Sequence, residues 1–266
     1  MERESLGFDP NTPNVARLYD YYLGGKDHFP ADRAAAERIL RVAPEVRLAA
    51  RANRAFLGRA VRFLAGEGII QFLDIGTGLP TRNNVHEVAR SVAPDSRVVY
   101  VDHDPVVLVH ARALLAGTGV AVVEGDLRQP HDILKDPVVM ATLDLTRPVA
   151  VLLVAIMHYV SDAEDPARIL AAIREHLPAG SHLVLSHGTS DARAAAVRRG
   201  VEVYRTANSP LTLRGREEIE ELFEGFELVE PGLTWLPEWR PDQADTIDFA
   251  NGPETSLILG GVGRKN

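Results

Sequence analysis

Short apolar runs recur along the chain from residue 70 onward, and a more polar segment separates each run from the next. The runs cover residues 70–75, 97–101, 120–123, 149–155, 182–186, 226–229 and 256–262. The segments between them predict helices at residues 84–92, 105–115, 165–176, 188–209 and 213–223, and a loop with a short helix at residues 128–143. Such alternation predicts an α/β fold with a largely parallel sheet. The run at 149–155 is apolar throughout, which indicates a strand buried on both faces.

The N-terminal segment has helical patterns and no apolar run of strand type. Asn14 is a candidate cap for a first helix that ends at Leu23, because its side chain can accept hydrogen bonds from free backbone amides. Gly24 and Gly25 follow it, and two further helices are predicted at residues 31–42 and 45–65. We predict a helical N-terminal cap over residues 1–66 and a core over residues 67–266, forming one structural unit.

A glycine-containing turn follows the first predicted strand. Residues 73–78 read Leu-Asp-Ile-Gly-Thr-Gly, so the strand is followed by Gly76 and Gly78. Glycine tolerates a positive φ and lets the backbone approach a ligand closely. A dinucleotide-binding fingerprint would have a third glycine at position 81, where this chain has Thr81. The turn therefore suits a ligand without a pyrophosphate, although a plain tight turn would look the same.

Carboxylates also follow the second and third predicted strands. Asp102 could accept hydrogen bonds from both hydroxyls of a ribose, whereas Asp104 before Pro105 is better suited to cap the next helix. Asp126 could accept a hydrogen bond from an exocyclic amine, with Leu127 as an apolar wall, and Glu124 is the alternative carboxylate for that role. Because parallel strands end at one edge of the sheet, these side chains predict a nucleoside site there.

The strand ends together resemble the class I S-adenosylmethionine-dependent methyltransferases. The resemblance lies in residues 73–78, in Tyr-Val-Asp at 100–102 and in Glu-Gly-Asp at 124–126. A closer similarity involves residues 14–27, 78–81 and 84–89 and covers nearly the whole chain. It is to a bacterial family of S-adenosyl methyltransferases formerly described as a domain of unknown function. The resemblance implies a Rossmann-like, doubly wound, seven-stranded sheet whose last strand is antiparallel.

The resemblance also implies S-adenosylmethionine as the cofactor and S-adenosylhomocysteine as the product. Asp74, Gly76 and Gly78 would face the methionine part of the cofactor. The ribose would lie at Asp102 and His103, and the adenine at Asp126 and Leu127. The end of the fourth strand, beginning at Ala155, would face the transferable methyl group.

Side chains from the N-terminal cap are candidates for the roof of this site. A lid containing Tyr22 would exclude water, with the two glycines after it as a hinge. Asn53 on the third helix could reach the cofactor's carboxylate. The alternatives are that Tyr22 docks as core and that Asn53 belongs to a solvated helix face.

His158 is the candidate general base, because it follows the fourth strand and a histidine can take up a proton near neutral pH. Its alternative role is structural, and methyl transfer can proceed without a base if the acceptor is aligned and deprotonated. His187 is a second candidate on the same edge. The stretch from Trp235 to Trp239 predicts an acceptor-pocket wall, a homodimer contact or plain packing on the sheet edge.

Composition narrows the class of partner. The chain has 266 residues, of which 45% are hydrophobic, enough for one large core. Its net charge of −8 argues against a nucleic-acid partner held by phosphate neutralisation. No apolar run is long enough to span a membrane, so no membrane partner is expected. The absence of cysteine excludes disulfides and fits a cytoplasmic protein, and no histidine spacing indicates a metal site.

We therefore predict a methyltransferase that uses S-adenosylmethionine to methylate a small organic acceptor. The chain lacks the Asn/Asp-Pro-Pro-aromatic tetrapeptide, which removes support for methylation of bases or glutamine amides. One alternative is a non-catalytic protein that binds the cofactor as a sensor. Another is a nicotinamide-dependent oxidoreductase, which Thr81 disfavours.

Overall fold

A computed structural model describes residues 8–81, 83–115, 117–192, 210–242, 249 and 251–266. Three helices come first: α1 (Val15–Leu23), α2 (Pro30–Val42) and α3 (Val46–Gly66). They agree with the three predicted helices to within a residue or two. The side chain of Asn14 accepts hydrogen bonds from the backbone amides of Ala16 and Arg17, so the predicted cap of α1 is confirmed.

The sheet begins directly after α3. Its strands are β1 (Gln71–Ile75), β2 (Arg97–Asp102), β3 (Val120–Glu124), β4 (Ala150–Val154), β5 (His182–Gly188), β6 (Glu227–Leu228), β7 (Thr234–Trp235) and β8 (Ile258–Arg264). The order across the sheet is β3-β2-β1-β4-β5-β8-β6, and β7 also pairs with β8. The first five strands are parallel to one another, and β8 is antiparallel to β5. The predicted Rossmann-like fold with an antiparallel last strand is confirmed, and the short β7 is an additional eighth strand.

Helices cover both faces of the sheet. They are α4 (Val85–Val92), α5 (Pro105–Leu114), α6 (Pro130–Leu134), α7 (Pro137–Thr142), α8 (Pro166–His176) and α9 (Arg216–Glu221). The segment at 128–143, predicted as a loop and one short helix, contains the two short helices α6 and α7, because Pro137 with Asp136 as its cap starts a new helix. The helix predicted at 213–223 is shorter than expected, since it begins only after Gly215. Most of the helix predicted at 188–209 lies outside the described residues, and Gly188 itself belongs to β5.

Two apolar layers sandwich the strands, because successive side chains of a strand point to opposite faces. Leu73 and Ile75 of β1 belong to one layer, and Phe72 belongs to the other. The second layer includes α3, whose Phe56 contacts Trp239 edge to face with ring centroids 5.3 Å apart. Trp239 is fully buried in this way, so plain packing is the role that the structure gives it. The helix α3 thus attaches the N-terminal cap to the sheet.

The N-terminal helices α1 and α2 pack on α3 through a small separate core that includes Leu18, Tyr22 and Ile39. Tyr22 is 2% exposed, which agrees with the docking alternative for this side chain. None of the helices within the described residues has the length and apolar character needed to cross a bilayer.

Candidate functional site

A cavity lies at the carboxyl ends of β1, β2 and β4, beneath α1. Its walls are the turn after β1, residues Asp102, His103 and Asp104 after β2, and the backbone around Ala155 after β4. The helices α1 and α3 contribute the opposite wall. In parallel α/β sheets, the crevice outside the carboxyl ends of the strands is where ligands bind. We refer to this space as the first cavity.

The turn after β1 requires glycine at two positions for different reasons. Gly76 has a φ of +75°, and a Cβ there would lie 2.6 Å from a side-chain carbon of Ile156. Gly78 has a φ of +64°, but a Cβ there would meet no protein atom within 4 Å. Both residues line the first cavity. Gly76 therefore allows the turn to pack on the residue after Ala155, whereas Gly78 leaves open space for a ligand.

Asp102 links the end of β2 to the turn after β1 through hydrogen bonds. One of its carboxylate oxygens accepts a hydrogen bond from the Gly78 amide at 2.9 Å, and the other accepts one from the Asp104 amide at 3.0 Å. Burial raises the pKa of this carboxyl, and the two backbone amides oppose the rise. A carboxylate has about four acceptor positions, so Asp102 keeps capacity for further donors on its cavity side.

Asp74 is the second buried carboxylate of the first cavity. Its side chain accepts a hydrogen bond from the Thr77 hydroxyl at 3.0 Å. Burial raises the pKa of Asp74 to about 6, and the Thr77 hydrogen bond opposes the rise. The cavity is lined by four aspartates in all, against two basic side chains, Arg54 and His103. Its potential therefore favours a ligand that carries positive charge.

The roof is joined to the sheet through two helix caps. The Asn14 amide group donates a hydrogen bond to Asp104, while Asp104 also accepts hydrogen bonds from Val106 and Val107 as the cap of α5. The predicted capping role of Asp104 is confirmed. Arg17, one turn further along α1, forms a buried ion pair of 2.8 Å with Asp32 of α2. These polar contacts hold α1 over the mouth of the first cavity.

The Gly24–Gly25 segment shapes the end of the roof. Gly24 ends α1 in the left-handed conformation, with a φ of +83°. A Cβ on Gly25 would lie 1.8 Å from a carboxylate oxygen of Asp20, so a larger residue there would displace the turn or the Asp20 side chain. Asp20 in turn accepts hydrogen bonds from the Asp27 amide at 3.0 Å and interacts with the His28 ring at 3.1 Å. Asp20 itself lines the first cavity.

A chain of hydrogen bonds connects the roof with the floor. The Tyr19 hydroxyl of α1 accepts a hydrogen bond from the Asn53 amide at 2.9 Å and donates one to the Ala50 carbonyl at 3.0 Å. The other end of the Asn53 side chain accepts a hydrogen bond from the Ser186 hydroxyl at 2.6 Å. Ser186 completes the chain by accepting one from the Ala155 amide at 2.9 Å. Ala155 has a φ of +58°, which is uncommon for a residue with a side chain and marks local strain at the site.

A second cavity adjoins the first. Tyr19, Ala155 and Tyr159 line both spaces. The remaining described walls of the second cavity are largely aliphatic, from α2, α3, β5 and β8. His158 and Thr189 supply polar groups, and the Thr189 hydroxyl already donates to the Arg214 carbonyl at 3.0 Å. The pair of cavities thus consists of an acidic chamber and an apolar chamber with a shared wall.

His158 lies on the wall of the second cavity in a defined tautomer. Its Nδ1 accepts a hydrogen bond from the Gly188 amide at 3.3 Å, so the proton of the neutral ring is on Nε2. Burial, with help from His187 and Arg214, places the pKa of His158 well below its ordinary value. A general base needs a free lone pair, and the one on Nδ1 already faces the Gly188 N–H. This geometry suits a hydrogen-bond donor better than the predicted base.

A buried arginine stands behind His158. The Arg214 guanidinium is 2.9 Å from Nε2 of His187 and also donates to the Val160 carbonyl at 3.0 Å and to Asp162 at 2.6 Å. Nδ1 of His187 is directed at the Gly188 carbonyl, 2.8 Å away, and burial lowers the pKa of His187 to about 4. His187 is therefore a neutral spacer between the arginine and His158, whose ring it contacts edge to face.

The structure divides the residues proposed from the sequence into three groups. The first cavity is lined by seven of the eleven, namely Asn53, Asp74, Gly76, Gly78, Asp102, His103 and Ala155. Tyr22 and His158 line the second cavity, which Ala155 also reaches. Asp126 and Leu127 line neither cavity: Asp126 pairs with Arg128 at 3.1 Å, and Leu127 is part of the core. The roles proposed for these residues toward a cofactor stay predictions.

Two polar residues of the site gave no usable signal in the sequence. Ser186 sits within an apolar strand, and its role depends on a hydrogen bond to a helix far away in the chain. Arg214 follows an apolar segment and looks like a surface residue, yet it is 4% exposed. No group of three or more histidine and acidic side chains among the described residues could hold a metal ion.

Comparisons with known proteins identify the family. The profile of a family described as S-adenosyl methyltransferase matches residues 1–266. A DUF574 family protein from Streptomyces avermitilis is 47% identical, with a TM-score of 0.92 over 97% of this chain and 99% of that one. A putative methyltransferase from Thermobifida fusca is 45% identical, with a TM-score of 0.90 over 98% and 97% of the two chains.

More distant structures share the fold alone. Human N-acetylserotonin methyltransferase, solved in complex with S-adenosylmethionine, is 15% identical, with a TM-score of 0.52 over 96% of this chain and 63% of that one. None of the curated proteins matches this chain. The chain belongs to the S-adenosyl methyltransferase family, as its motifs indicated, and is an S-adenosylmethionine-dependent methyltransferase.

Proposed function

We propose that the first cavity holds S-adenosylmethionine and that the second holds a small organic molecule that accepts the methyl group. One observation carries this proposal: Ala155, Tyr19 and Tyr159 line both cavities. Methyl transfer needs the donor and the acceptor to meet in line across a short distance. Two chambers of different polarity that share one wall provide that arrangement.

The chemistry of the first cavity fits the cofactor. The open space at Gly78 and the unused acceptor positions of Asp102 suit a ribose packed against the turn. Asp126 and Leu127 follow the adjacent strand, and the Gly125 amide donates to the Asp102 carbonyl at 3.0 Å. We therefore keep the predicted adenine position on that side of the ribose. His103 is exposed and stands beside Asp102, where it would flank the sugar.

The acidic character of the cavity suits the positive groups of the cofactor. S-Adenosylmethionine supplies an electrophilic methyl carbon on a sulfonium sulfur, and its methionine part carries an ammonium group. Asp74 and Asp20 face the cavity and would attract those charges. Arg54, also in the cavity wall, is the candidate partner for the methionine carboxylate. Asn53 would act less directly, since both ends of its amide are engaged by Ser186 and Tyr19.

The roof has the task of excluding water. Tyr19 and Val15 of α1 cover the first cavity, and Tyr22 covers the second. A closed, poorly hydrated site protects the sulfonium from competing nucleophiles and strengthens electrostatic contacts inside it. The acceptor is then confined to the apolar chamber, in contact with Ala155.

Calorimetric titration of the protein with S-adenosylmethionine and S-adenosylhomocysteine tests the cofactor assignment. We expect saturable binding by the wild type and at least about a tenfold loss in Asp102→Ala, the range for losing hydrogen bonds to a charged group. Asp242→Ala is the matched control, because Asp242 is a half-exposed aspartate that lines neither of these two cavities. Equal affinities of Asp102→Ala and the wild type would remove Asp102 from the site.

A screen that follows S-adenosylhomocysteine release in the presence of uncharged small molecules, peptides and nucleic acids tests the acceptor class. We expect release with members of the first group alone. Release with a macromolecule and with no small molecule would contradict the proposal.

A further inference from the structure

The walls of the second cavity indicate the chemical class of the acceptor, and this inference rests on the function proposed above. We propose that the acceptor is a small phenol that occupies the second cavity as its phenolate, with its oxygen on the Nε2–H of His158. The enzyme would then be an O-methyltransferase for a single-ring aromatic compound. Three observations support this inference: the apolar walls, the tautomer of His158 and the buried cation behind it.

The walls select an uncharged, mainly apolar body. None of the described residues that line the second cavity is an aspartate, a glutamate, a lysine or an arginine. Ile39, Val46, Leu211 and Leu213 are among its aliphatic members. The cavity volume is about 110 Å³, and a dry cavity of about 150 Å³ lined by such residues accommodates benzene. The second cavity can therefore hold a ligand the size of one aromatic ring after a slight adjustment of its side chains.

The polar group on the wall selects an oxygen that accepts a hydrogen bond. Within the described residues, the Gly188 amide engages Nδ1 of His158 and leaves the Nε2–H for a ligand. The described wall residues include no carboxylate, so a cationic amine would lose its hydration without gaining a negative partner from them. A phenolic oxygen, in contrast, would receive the hydrogen bond from Nε2.

The electrostatic field favours the anionic form of that oxygen. Arg214 is 4% exposed and is permanently charged, and it reaches His158 through the neutral His187. Asp162 pairs with Arg214, but its side chain is 81% exposed, so water screens much of its charge. The second cavity thus combines a hydrogen-bond donor with a buried cation behind it, and both favour the ionised form of a bound phenol.

Methyl transfer to a phenolate needs no base from the protein. The phenol gives its proton to solvent on binding as phenolate. An electron pair of the phenolate oxygen forms the new O–C bond to the methyl carbon, and the C–S pair stays on sulfur. The anion and the sulfonium become a neutral aryl methyl ether and neutral S-adenosylhomocysteine. The neutral His158 donates to the oxygen and takes up no proton.

Ligand titrations of the wild-type protein test the proposal without any substitution. Para-nitrophenol is a suitable probe because its phenolate absorbs visible light. Nitrobenzene is the matched control without the oxygen, and benzylammonium is the matched cation. With and without S-adenosylhomocysteine, we expect para-nitrophenol to bind about tenfold to hundredfold more tightly than nitrobenzene, the range for a hydrogen bond to a charged group. We also expect the bound phenol to ionise at lower pH than the free one.

Variants of His158 separate a donor from a base. In His158→Gln the side-chain amide can replace the Nε2–H, so we expect phenolate binding and methyl transfer to be largely kept. In His158→Phe the donor is lost, and binding should fall toward that of nitrobenzene. A general base would instead lose methyl transfer in both variants. Thermal unfolding of each variant verifies that it is folded.

Equal binding of para-nitrophenol and nitrobenzene, an unshifted ionisation of the bound phenol, or tighter binding of benzylammonium would overturn the phenolate proposal. If S-adenosylhomocysteine binds and the phenol does not, the cofactor assignment stands and this inference fails. If the phenol binds at His158 and S-adenosylhomocysteine does not bind, the proposed function fails and the ligand site stands.

Discussion

Asn53 on α3 and Ser186 on β5 lie 133 positions apart in the chain and are joined by a hydrogen bond of 2.6 Å. Asn53 also donates a hydrogen bond to the Tyr19 hydroxyl in the roof, and Ser186 accepts one from the backbone amide of Ala155 in the floor. Because Tyr19 and Ala155 line both cavities, this chain of hydrogen bonds determines how the roof is seated above the strand ends. Substitutions that remove one of these hydrogen bonds should therefore lower both the stability of the protein and its rate of methyl transfer.

The Asn53–Ser186 contact predicts an energetic coupling. Asn53→Ala and Ser186→Ala should each lower the free energy of unfolding by about 1–3 kcal/mol, since each leaves a buried polar partner unsatisfied. The double variant should lose less than the sum, with a coupling of about 0.5–3 kcal/mol. Urea unfolding of the four proteins measures this cycle, and additive losses would show that the two side chains act independently.

Gly25→Ala should distort the roof. Its Cβ would lie 1.8 Å from the Asp20 carboxylate, so either the turn or Asp20 has to move. We expect a loss of more than about 2 kcal/mol in the free energy of unfolding, because overpacking of a closed site is costly. Gly24→Asn is the matched control: its side chain would enter open space, and Asn tolerates a φ of +83° better than most residues. Similar unfolding midpoints for the two variants would contradict the steric argument.

Substitutions of the two glycines in the turn after β1 should have different effects. Gly76→Ala places a Cβ 2.6 Å from the Ile156 side chain, so it should destabilise the fold. Gly78→Ala meets no protein atom within 4 Å, so its cost in stability should be limited to about 1 kcal/mol from the positive φ. Its methyl group would instead occupy space in the first cavity. Thermal unfolding and calorimetry together should show lost stability in the first variant and lost cofactor affinity in the second.

Asp74 should make stability and cofactor affinity depend on pH. Its pKa is about 6 in the folded protein and about 4 in an unfolded chain. The folded state therefore binds more protons between these values, so the stability of the ligand-free protein should fall as pH rises from about 4 to 6. Two pKa units correspond to about 3 kcal/mol at most.

A cationic ligand should bind better once Asp74 is ionised. Affinity for S-adenosylmethionine should therefore increase between about pH 5 and pH 7, with proton release on binding in the lower part of that range. Asp74→Asn should flatten both the affinity profile and this part of the stability profile. Calorimetry in two buffers with different ionisation enthalpies measures the protons released. An Asp74→Asn profile as steep as that of the wild type would assign the dependence to another group, such as Asp102.

Local patterns in the sequence determined the fold and much of the first cavity. Apolar runs of strand length, separated by helical segments, predicted seven of the eight strands, since periodicity and length are local properties. The strand-end residues Asp74, Gly76 and Asp102 could be placed together because parallel strands end at one edge. The caps Asn14 and Asp104 were also predictable, because a capping side chain bonds to amides two or three residues away.

Tertiary structure alone decided the features that depend on long-range contacts. The sequence could not show that Asn14 binds Asp104, that Asn53 binds Ser186, or that Arg214 is buried behind His158. It placed His158 correctly after a buried strand, but the tautomer of that ring depends on the Gly188 amide, which arrives from β5. A hydrogen bond between distant segments depends on how the chain packs as a whole, and no local period encodes it. The contacts that hold the predicted roof over the glycine turn, and the second, apolar cavity, therefore emerged only from the assembled fold.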